Sequence, residues 1–262
     1  MSPLKGIFER RKALIFYLMA GDPDAETTVA LARTLEEAGA DALELGMPFS
    51  EPQADGPVIQ AAAGRALKGG ATLGKTLETA ARVREATSLP LLLMGYLNPL
   101  LAYGTERFAR EAAESGVSGV LLPDLPFDEG EEVHAALRGR GVPTVPMAAP
   151  NTPEARLAAL GRMEPAFVYC VSLLGTTGSP FSGGNLETYL DRVGRLVPAP
   201  RALGFGIRDA QGAAQGARRA EGVVVGSALV ERIARHSGND RALHREVRAF
   251  AASLREALDR GN

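Results

Sequence analysis

The sequence is poor in the residues that build disulfides and metal clusters, since its 262 residues include one cysteine and three histidines. The single cysteine, Cys170, excludes an intramolecular disulfide, and a chain of this size without cross-links is typical of a reducing compartment. His134, His236 and His244 lie far apart on helical or polar segments. They give little support to a metal cluster or a Ser/His/Asp triad, and we expect Cys170 to be a small buried residue.

Strong net charge and long apolar runs are absent too. Lys and Arg number 29 against 31 Asp and Glu, which leaves a formal net charge of -2 and no global basic field for nucleic acid or an anionic membrane. No stretch reaches the roughly 20 apolar residues that span a bilayer. The start, MSPLKGIFERRK, lacks the apolar run of a signal peptide. We therefore expect a soluble cytoplasmic protein with no nucleic-acid or membrane partner.

Short apolar segments are present along the whole chain and alternate with segments of helical spacing. Eight of them have the length of strands: residues 13–20, 42–46, 89–96, 119–124, 143–149, 167–172, 201–207 and 222–229. The helical segments between them are residues 26–38, 73–86, 106–115, 129–138, 154–162, 186–197 and 210–220. Near-continuous apolar strands joined by helices indicate parallel strands that are buried on both faces. The pattern predicts an α/β fold, a (β/α)8 TIM barrel, with an open doubly wound sheet as the alternative.

Three additions to a minimal barrel are predicted. An extra N-terminal helix, about residues 3–11, precedes the first strand and would plug the lower end of the barrel. The extended loop after strand 2 has room for a further helix near residues 57–67, and the loop after strand 6, LLGTTGSPFSGGN, has the composition of a mobile lid. Both loops follow the ends of strands at which barrel enzymes build their sites. No linker marks a boundary, so we expect residues 1–262 to form a single domain.

One carboxylate lies inside an apolar strand, in the stretch ALELGMPFSEPQADGPVIQ. Alternation places Glu44 on one strand face with Ala42 and Gly46, and the two leucines on the other, so Glu44 is expected to point into the barrel. Burying a lone carboxylate costs several kcal/mol unless it is paired or protonated. Two interpretations stay open: an acid whose pKa is raised by apolar surroundings, or a structural glutamate satisfied by arginine or by backbone donors.

A second carboxylate, Asp55, follows eleven residues later in the turn sequence ADGP. Taken alone, it is more typical of a cap for the helix that Pro57 opens. Two carboxylates over one barrel mouth would instead divide the work of proton donor and hydrogen-bond acceptor between them. Both interpretations of Asp55 stay open.

Glycine-rich segments follow three of the late strands: LGTTG at residues 174–178, GFGI at 204–207 and GSAL at 226–229. Glycine lets backbone N–H groups approach an oxyanion, and a helix N-terminus adds a favourable dipole. Barrels often bind phosphate in the loops after strands seven and eight. The three segments together predict a phosphate site, although tight turns would explain any one of them.

These motifs resemble the tryptophan synthase alpha chain family. GADALELGMPFSEPQADGPVIQ, at residues 39–60, is similar to the family signature GADxxELGxPFSDPxADGPxIQ. AGDPD, LLMGYLNPLLAYG, VLLPDLP, YCVSLLGTTG, GFGI and VVVGSAL follow in family order, so the resemblance covers almost the whole chain. It implies a lyase of tryptophan biosynthesis that cleaves indole-3-glycerol phosphate to indole and glyceraldehyde 3-phosphate without metal or coenzyme. It also implies an α2β2 heterotetramer in which a beta chain, carrying pyridoxal phosphate, receives the indole.

The resemblance also implies residue roles. Glu44 would protonate C3 of the indole ring and help take the proton from the glycerol hydroxyl, while Asp55 would accept the ring N–H. Thr177, in the lid, would hydrogen-bond Asp55 on closure. The remaining implied residues are Tyr169, Phe205, Tyr17, Leu93 and Leu121 around the substrate, and Gly178, Gly206, Gly226 and Ser227 around the phosphate.

Two residues depart from the family pattern. Glu51 replaces the usual Asp at a contact with the beta chain, and Leu173 replaces a common Arg in the lid. They leave open a stand-alone lyase that releases free indole. A phosphate-binding barrel that serves only as an allosteric subunit is a third hypothesis, against which the presence of both acids counts.

Overall fold

The structure is a computed structural model that describes residues 3–171, 183–204 and 206–260, the side chains of 183–185 excepted. The strands are β1 (Ala13–Met19), β2 (Ala42–Gly46), β3 (Leu91–Met94), β4 (Gly119–Leu121), β5 (Met147–Ala148), β6 (Val168–Val171), β7 (Arg201–Gly204) and β8 (Gly222–Val225). They form one parallel sheet in the order β4-β3-β2-β1-β8-β7-β6-β5. All eight predicted strands are confirmed.

The two edges of this sheet meet. Val120 of β4 and Thr144, just before β5, form a parallel bridge. The Val120 N–H donates to the Pro143 carbonyl at 3.0 Å, and the Val145 N–H donates to the Val120 carbonyl at 2.8 Å. The sheet therefore closes into the predicted (β/α)8 barrel, and the open doubly wound alternative is wrong.

Helices surround the sheet and connect its strands. They are α1 (Pro3–Gly6), α2 (Ala25–Glu37), α3 (Pro57–Lys68), α4 (Leu73–Ala86), α5 (Leu97–Tyr103), α6 (Thr105–Glu114), α7 (Glu131–Gly139), α8 (Glu154–Arg162), α9 (Gly183–Leu196), α10 (Ala210–Ala217), α11 (Ser227–His236) and α12 (Asp240–Arg260). The predicted helices are found, including α3 in the long connection after β2. The first helix is shorter than expected, and α5 and α12 were not predicted.

The strands separate two apolar clusters. Residues of one strand face, such as Leu43 and Leu45, pack against the helices in an outer cluster. The other face fills the barrel interior, to which Ala42 of the same strand belongs. This alternation follows from the two-residue period of a strand, and it makes both faces of the sheet apolar.

The N-terminal segment closes the end of the barrel at which the strands begin. Leu4 of α1 belongs to the interior cluster, and the Phe8 ring lies 5.4 Å from the ring of Phe167, the residue before β6. The predicted plug is therefore present, although only residues 3–6 of it are helical. With this end filled, the opposite end of the barrel, at the C-terminal ends of the strands, is left for a ligand.

Candidate active site

β2 places Glu44 in the barrel interior. It pairs in register with Tyr17 of β1 on one side and with Leu92 of β3 on the other. The flanking residues Leu43 and Leu45 face the helices, so Glu44 points inward as the alternation predicts. Its exposed fraction is 2%, which removes the carboxyl almost completely from water.

Burial is the main influence on the Glu44 carboxyl and raises its pKa to about 8. The charge of Asp55 adds to the rise, and a hydrogen bond with the Tyr169 hydroxyl opposes it. No basic side chain in the described part of the chain contributes to this pKa, and Oε2 has no hydrogen-bond partner there. The interpretation of Glu44 as a structural residue satisfied by arginine is therefore wrong. A carboxyl with this pKa still carries its proton at neutral pH.

Asp55 lies in the loop between β2 and α3, with 5% of its surface exposed. The N-cap of α3 is Gly56 and no side chain caps this helix, so the capping interpretation of Asp55 is wrong. Burial raises the pKa of Asp55 to about 6, and a hydrogen bond with Tyr96 opposes that rise. Asp55 thus ionises at lower pH than Glu44, so the site holds one carboxyl that is mostly ionised and one that is mostly protonated at neutral pH.

Two glycines at strand ends let tyrosine rings cross the barrel mouth. A Cβ added to Gly46 would lie 2.0 Å from the Tyr17 hydroxyl oxygen, and one added to Gly204 would lie 2.4 Å from a ring carbon of Tyr169. Both distances are far inside van der Waals contact, so only glycine allows these approaches. The pKa of Tyr17 is raised by burial and by the charges of Asp55 and Glu44, which keeps this phenol neutral.

Of the predicted lining residues, Tyr17, Tyr169 and Leu121 belong to the interior cluster, as expected. Leu93 does not. It packs in the outer cluster against the helices, while Met94 of the same strand faces the interior, so the placement of Leu93 around the substrate is wrong. The strand reads LLLM, and a continuous apolar run carries no polar mark that shows which face is inward. The register with Glu44, which pairs with Leu92, decides it.

The predicted phosphate residues that can be located lie after two neighbouring strands. Gly206 follows β7 with φ of 89°, a conformation that favours glycine, and Ser227 is the first residue of α11 after β8. Gly226 is the N-cap of α11, and a Cβ added to it would lie 3.7 Å from the Tyr17 Cβ. The start of α11 therefore lies beside Tyr17, which pairs with Glu44 of the neighbouring strand β2. Thr177, Gly178 and Phe205 lie outside the described residues.

A sequence model of the family described as tryptophan synthase alpha chain matches residues 5–259. The chain belongs to this family. Its relatives include the tryptophan synthase alpha chain of Petrotoga mobilis, which is 43% identical over 256 residues, covering 97% of this chain and 99% of the relative. The relationship therefore extends along the whole chain.

Solved structures of tryptophan synthase agree with this relationship. The alpha subunit from Legionella pneumophila superimposes with a TM-score of 0.91 at 33% identity, covering 99% of each chain. A chain of the Mycobacterium tuberculosis tryptophan synthase gives a TM-score of 0.88 at 35% identity and covers 98% of each chain. As a tryptophan synthase alpha chain, the protein is a lyase of tryptophan biosynthesis that cleaves indole-3-glycerol phosphate. The stand-alone alternative is not favoured by these relationships.

Sequence reasoning missed Tyr96, a residue of this tryptophan synthase alpha chain that contacts the site. The motif containing it supported the resemblance, but no role was predicted for it. Tyr96 follows β3, which is the neighbour of β2, and its hydroxyl accepts the Ala54 N–H at 3.0 Å. Its place directly after a strand adjacent to the acid-bearing strand was the available signal.

The described part of the chain has no group of three or more His, Cys, Asp or Glu side chains arranged to hold a metal ion. Cys170 is fully buried, as predicted, and burial raises the pKa of its thiol to about 12. Of the histidines, His134 contacts the Thr144 hydroxyl through Nδ1 at 2.9 Å. Among the helices described, none is long and apolar enough to cross a membrane.

A cavity of about 410 Å³ lies beside β4 and β5, lined among others by Leu122, Phe127 and Arg156. It contains neither Glu44 nor Asp55. We place the active site at the barrel mouth because the carboxyls with raised pKa values lie there, and such groups mark catalytic sites more directly than volume does.

Proposed function

We propose that Glu44 is the proton donor and Asp55 the hydrogen-bond acceptor in the cleavage of indole-3-glycerol phosphate. The observation that carries this proposal is the buried Glu44 carboxyl, which has a pKa of about 8 and no basic partner in the described residues. A neutral indole is a poor leaving carbanion, so C3 of the ring must be protonated before the side chain can leave. An acid that keeps its proton at neutral pH supplies that step.

The carboxyl of Glu44 then serves both proton transfers of the reaction. Glu44 gives its proton to C3, and the ring becomes an indolenine. The glycerol hydroxyl next to C3 loses its proton to the resulting carboxylate, a carbonyl forms, and the bond to C3 breaks with its electron pair returning to the ring. Indole and glyceraldehyde 3-phosphate result, and Glu44 is protonated again.

Asp55 acts at the other end of the indole. Its pKa of about 6 leaves it mostly ionised at neutral pH. As a carboxylate it accepts the ring N–H and stabilises the positive charge that develops on the ring nitrogen when C3 is protonated. Thr177, which lies outside the described residues, would donate to Asp55, as the family resemblance implies.

The rest of the ligand fits the chemistry of the barrel mouth. Tyr17, Leu121, Tyr169 and Phe205 would enclose the ring, and Gly178, Gly206, Gly226 and Ser227 would hold the phosphate through backbone N–H groups. The dipole at the start of α11 favours an anion there. We infer that this chain needs no cofactor of its own, and that pyridoxal phosphate belongs to the beta chain.

The partner is a tryptophan synthase beta chain, in an α2β2 heterotetramer that passes indole between the subunits. Glu51 is exposed in the loop after β2, at the same end of the barrel as the site. The family resemblance implies a contact with the beta chain at this position. Leu173 lies outside the described residues. We further infer that residues 1–262 act as a single domain, and that the enzyme works in the cytoplasm with the biosynthetic pathway it serves.

Glu44→Gln tests the proposal, because the amide keeps the size of the side chain but cannot deliver the proton. Indole formation should fall by at least about 100-fold, within the range by which general acid catalysis accelerates reactions. Binding of an analogue in which both glycerol hydroxyls are replaced by hydrogen should change little. Glu132→Gln, at an exposed position of α7, is the matched control. Near-normal cleavage by Glu44→Gln would disprove the role of Glu44.

A further inference from the structure

Tyr96 is held between the ends of two neighbouring strands, β3 and β4. It is 3% exposed and lies between β3 and α5 as the N-cap residue of that helix. The Gly95 N–H before it donates to the Leu121 carbonyl at 3.1 Å, and the Leu97 N–H after it donates to the Asp124 carboxylate at 3.0 Å. Anchors on both sides leave the Tyr96 backbone little freedom.

The ring of Tyr96 is also packed against the loop that carries Asp55. Its centroid lies 5.6 Å from that of Phe49, at an interplanar angle of 36°. Phe49 belongs to the same β2–α3 loop as Asp55. Aromatic pairs at such distances contribute beyond the area they bury, so the ring position is fixed by packing and not only by its hydroxyl.

The hydroxyl then has a defined direction of hydrogen bonding. It accepts the Ala54 N–H at 3.0 Å, and this acceptor role leaves its own proton available. The bond to Ala54 holds this hydroxyl beside the next residue, Asp55, and a hydrogen bond from the hydroxyl to the Asp55 carboxyl lowers the pKa of Asp55. Burial and the Asp55 charge raise the pKa of Tyr96, so the phenol stays neutral and keeps that proton to donate.

From this geometry we propose that Tyr96 is a positioning residue, whose hydroxyl links the Ala54 backbone to the Asp55 carboxylate and holds that carboxylate ready to accept the indole N–H. The inference rests on the role proposed for Asp55. It assigns to Tyr96 two effects that a packing residue would not have: it aims the carboxylate, and it favours the ionised form over the protonated one.

The second effect, stabilisation of the ionised carboxylate, opposes the rise that burial causes in the pKa of Asp55. A hydrogen bond from a neutral phenol stabilises a carboxylate, so its loss should move the pKa of Asp55 upward from about 6. The other titratable groups that interact with Asp55 in the described residues are Glu44, Tyr17 and Tyr169. None of these is a cation that could compensate for the loss.

Tyr96→Phe tests the inference, because it removes the hydroxyl and keeps the ring. Steady-state cleavage of indole-3-glycerol phosphate by the full chain should show kcat reduced about tenfold at pH 7, as expected for loss of one hydrogen bond to a charged group. The acidic limb of the pH–rate profile should move to higher pH. The carboxyl carbon resonance of Asp55, followed by NMR in the free enzyme, should titrate at higher pH in the variant.

Tyr103→Phe is the matched control, since Tyr103 also bonds a carboxylate, Glu111, but on the outer helices. This variant should keep the wild-type profile. An unchanged pH profile and an unchanged Asp55 titration in Tyr96→Phe, with thermal unfolding like that of the wild type, would overturn the inference.

Asp55→Asn separates this outcome from a failure of the proposed function. If Asp55→Asn is nearly inactive while Tyr96→Phe behaves as wild type, only the positioning role is wrong. If Asp55→Asn cleaves normally, the role of Asp55 is itself wrong, and the positioning role falls with it.

Discussion

The Glu44 carboxyl and the Tyr169 hydroxyl meet in the barrel interior from opposite walls. Glu44 lies on β2 and Tyr169 on β6, four strands apart in a closed sheet of eight. Their hydrogen bond is the interaction that opposes the rise of the Glu44 pKa, while burial and Asp55 drive it. Tyr169 therefore limits the rise of the Glu44 pKa, in addition to lining the site.

Removing the Tyr169 hydroxyl should raise the pKa of Glu44 further. In Tyr169→Phe the Glu44 carboxylate loses a donor, so the pKa of Glu44 should rise above about 8. Because cleavage requires Glu44 protonated and Asp55 ionised, kcat/KM of the wild type should follow a bell with limbs near pH 6 and 8. We expect the alkaline limb of Tyr169→Phe to move to higher pH. An alkaline limb that stays in place would contradict the proposed control by Tyr169.

Glu44 should also make the folded chain less stable as pH rises. Its folded pKa, about 8, lies above the ordinary value of 4.5, so its contribution is fully present below pH 4.5 and is lost as pH rises through 8. A shift of this size corresponds to about 5 kcal/mol in the free energy of unfolding as an upper figure. Glu44→Gln lacks this loss and should gain stability relative to the wild type between pH 5 and pH 9.

Chemical denaturation at a series of pH values measures this difference. Glu132→Gln, which changes an exposed glutamate, should show no such trend. A difference between Glu44→Gln and the wild type that is the same at pH 5 and pH 9 would show that Glu44 is not shifted in the folded chain.

Gly204 should not tolerate a side chain, because an added Cβ would lie 2.4 Å from the Tyr169 ring. Gly204→Ala must displace that ring, at a cost of roughly 1–3 kcal/mol in the free energy of unfolding, and indole formation should fall with it. Gly64→Ala is the control: nothing lies within 4 Å of a Cβ there, and the residue is inside α3. It should stabilise the chain by up to about 1 kcal/mol. Equal effects of the two substitutions would refute the steric argument.

Glu44 and Asp55 show what a local sequence pattern can and cannot predict. Alternation in ALELG was enough to point Glu44 into the barrel, since its neighbours on each side are leucines that need the helix layer. For Asp55 taken alone, the turn sequence favoured a helix cap, but the N-cap of α3 is Gly56. A turn sequence shows that a helix begins but not where a short side chain points. The position of Tyr96, in the segment after β3, resolves it.

Leu93 shows the opposite case. It lies in a run of apolar residues whose two faces look alike, so its orientation depends on pairing with β2. The failure to predict α12 has another cause, because its buried residues Leu243, Val247, Leu254 and Leu258 recur at helical spacing and this local signal was missed. Only the attachment of α12, through the Arg255 guanidinium that donates to Asp41 at 2.9 Å, joins residues too far apart in sequence to leave a local pattern.

The sequence by itself determined the alternation of strands and helices and the family, because hydrophobic periodicity and contiguous motifs are local properties of the chain, whereas closure of the sheet was decided by the bridge between Val120 and Thr144. Only the tertiary structure decided that Glu44 has no basic partner among the described residues, that Asp55 bonds Tyr96, and that Leu93 faces outward. These properties depend on groups that separate strands bring together in a space nearly free of water, where desolvation sets the protonation state.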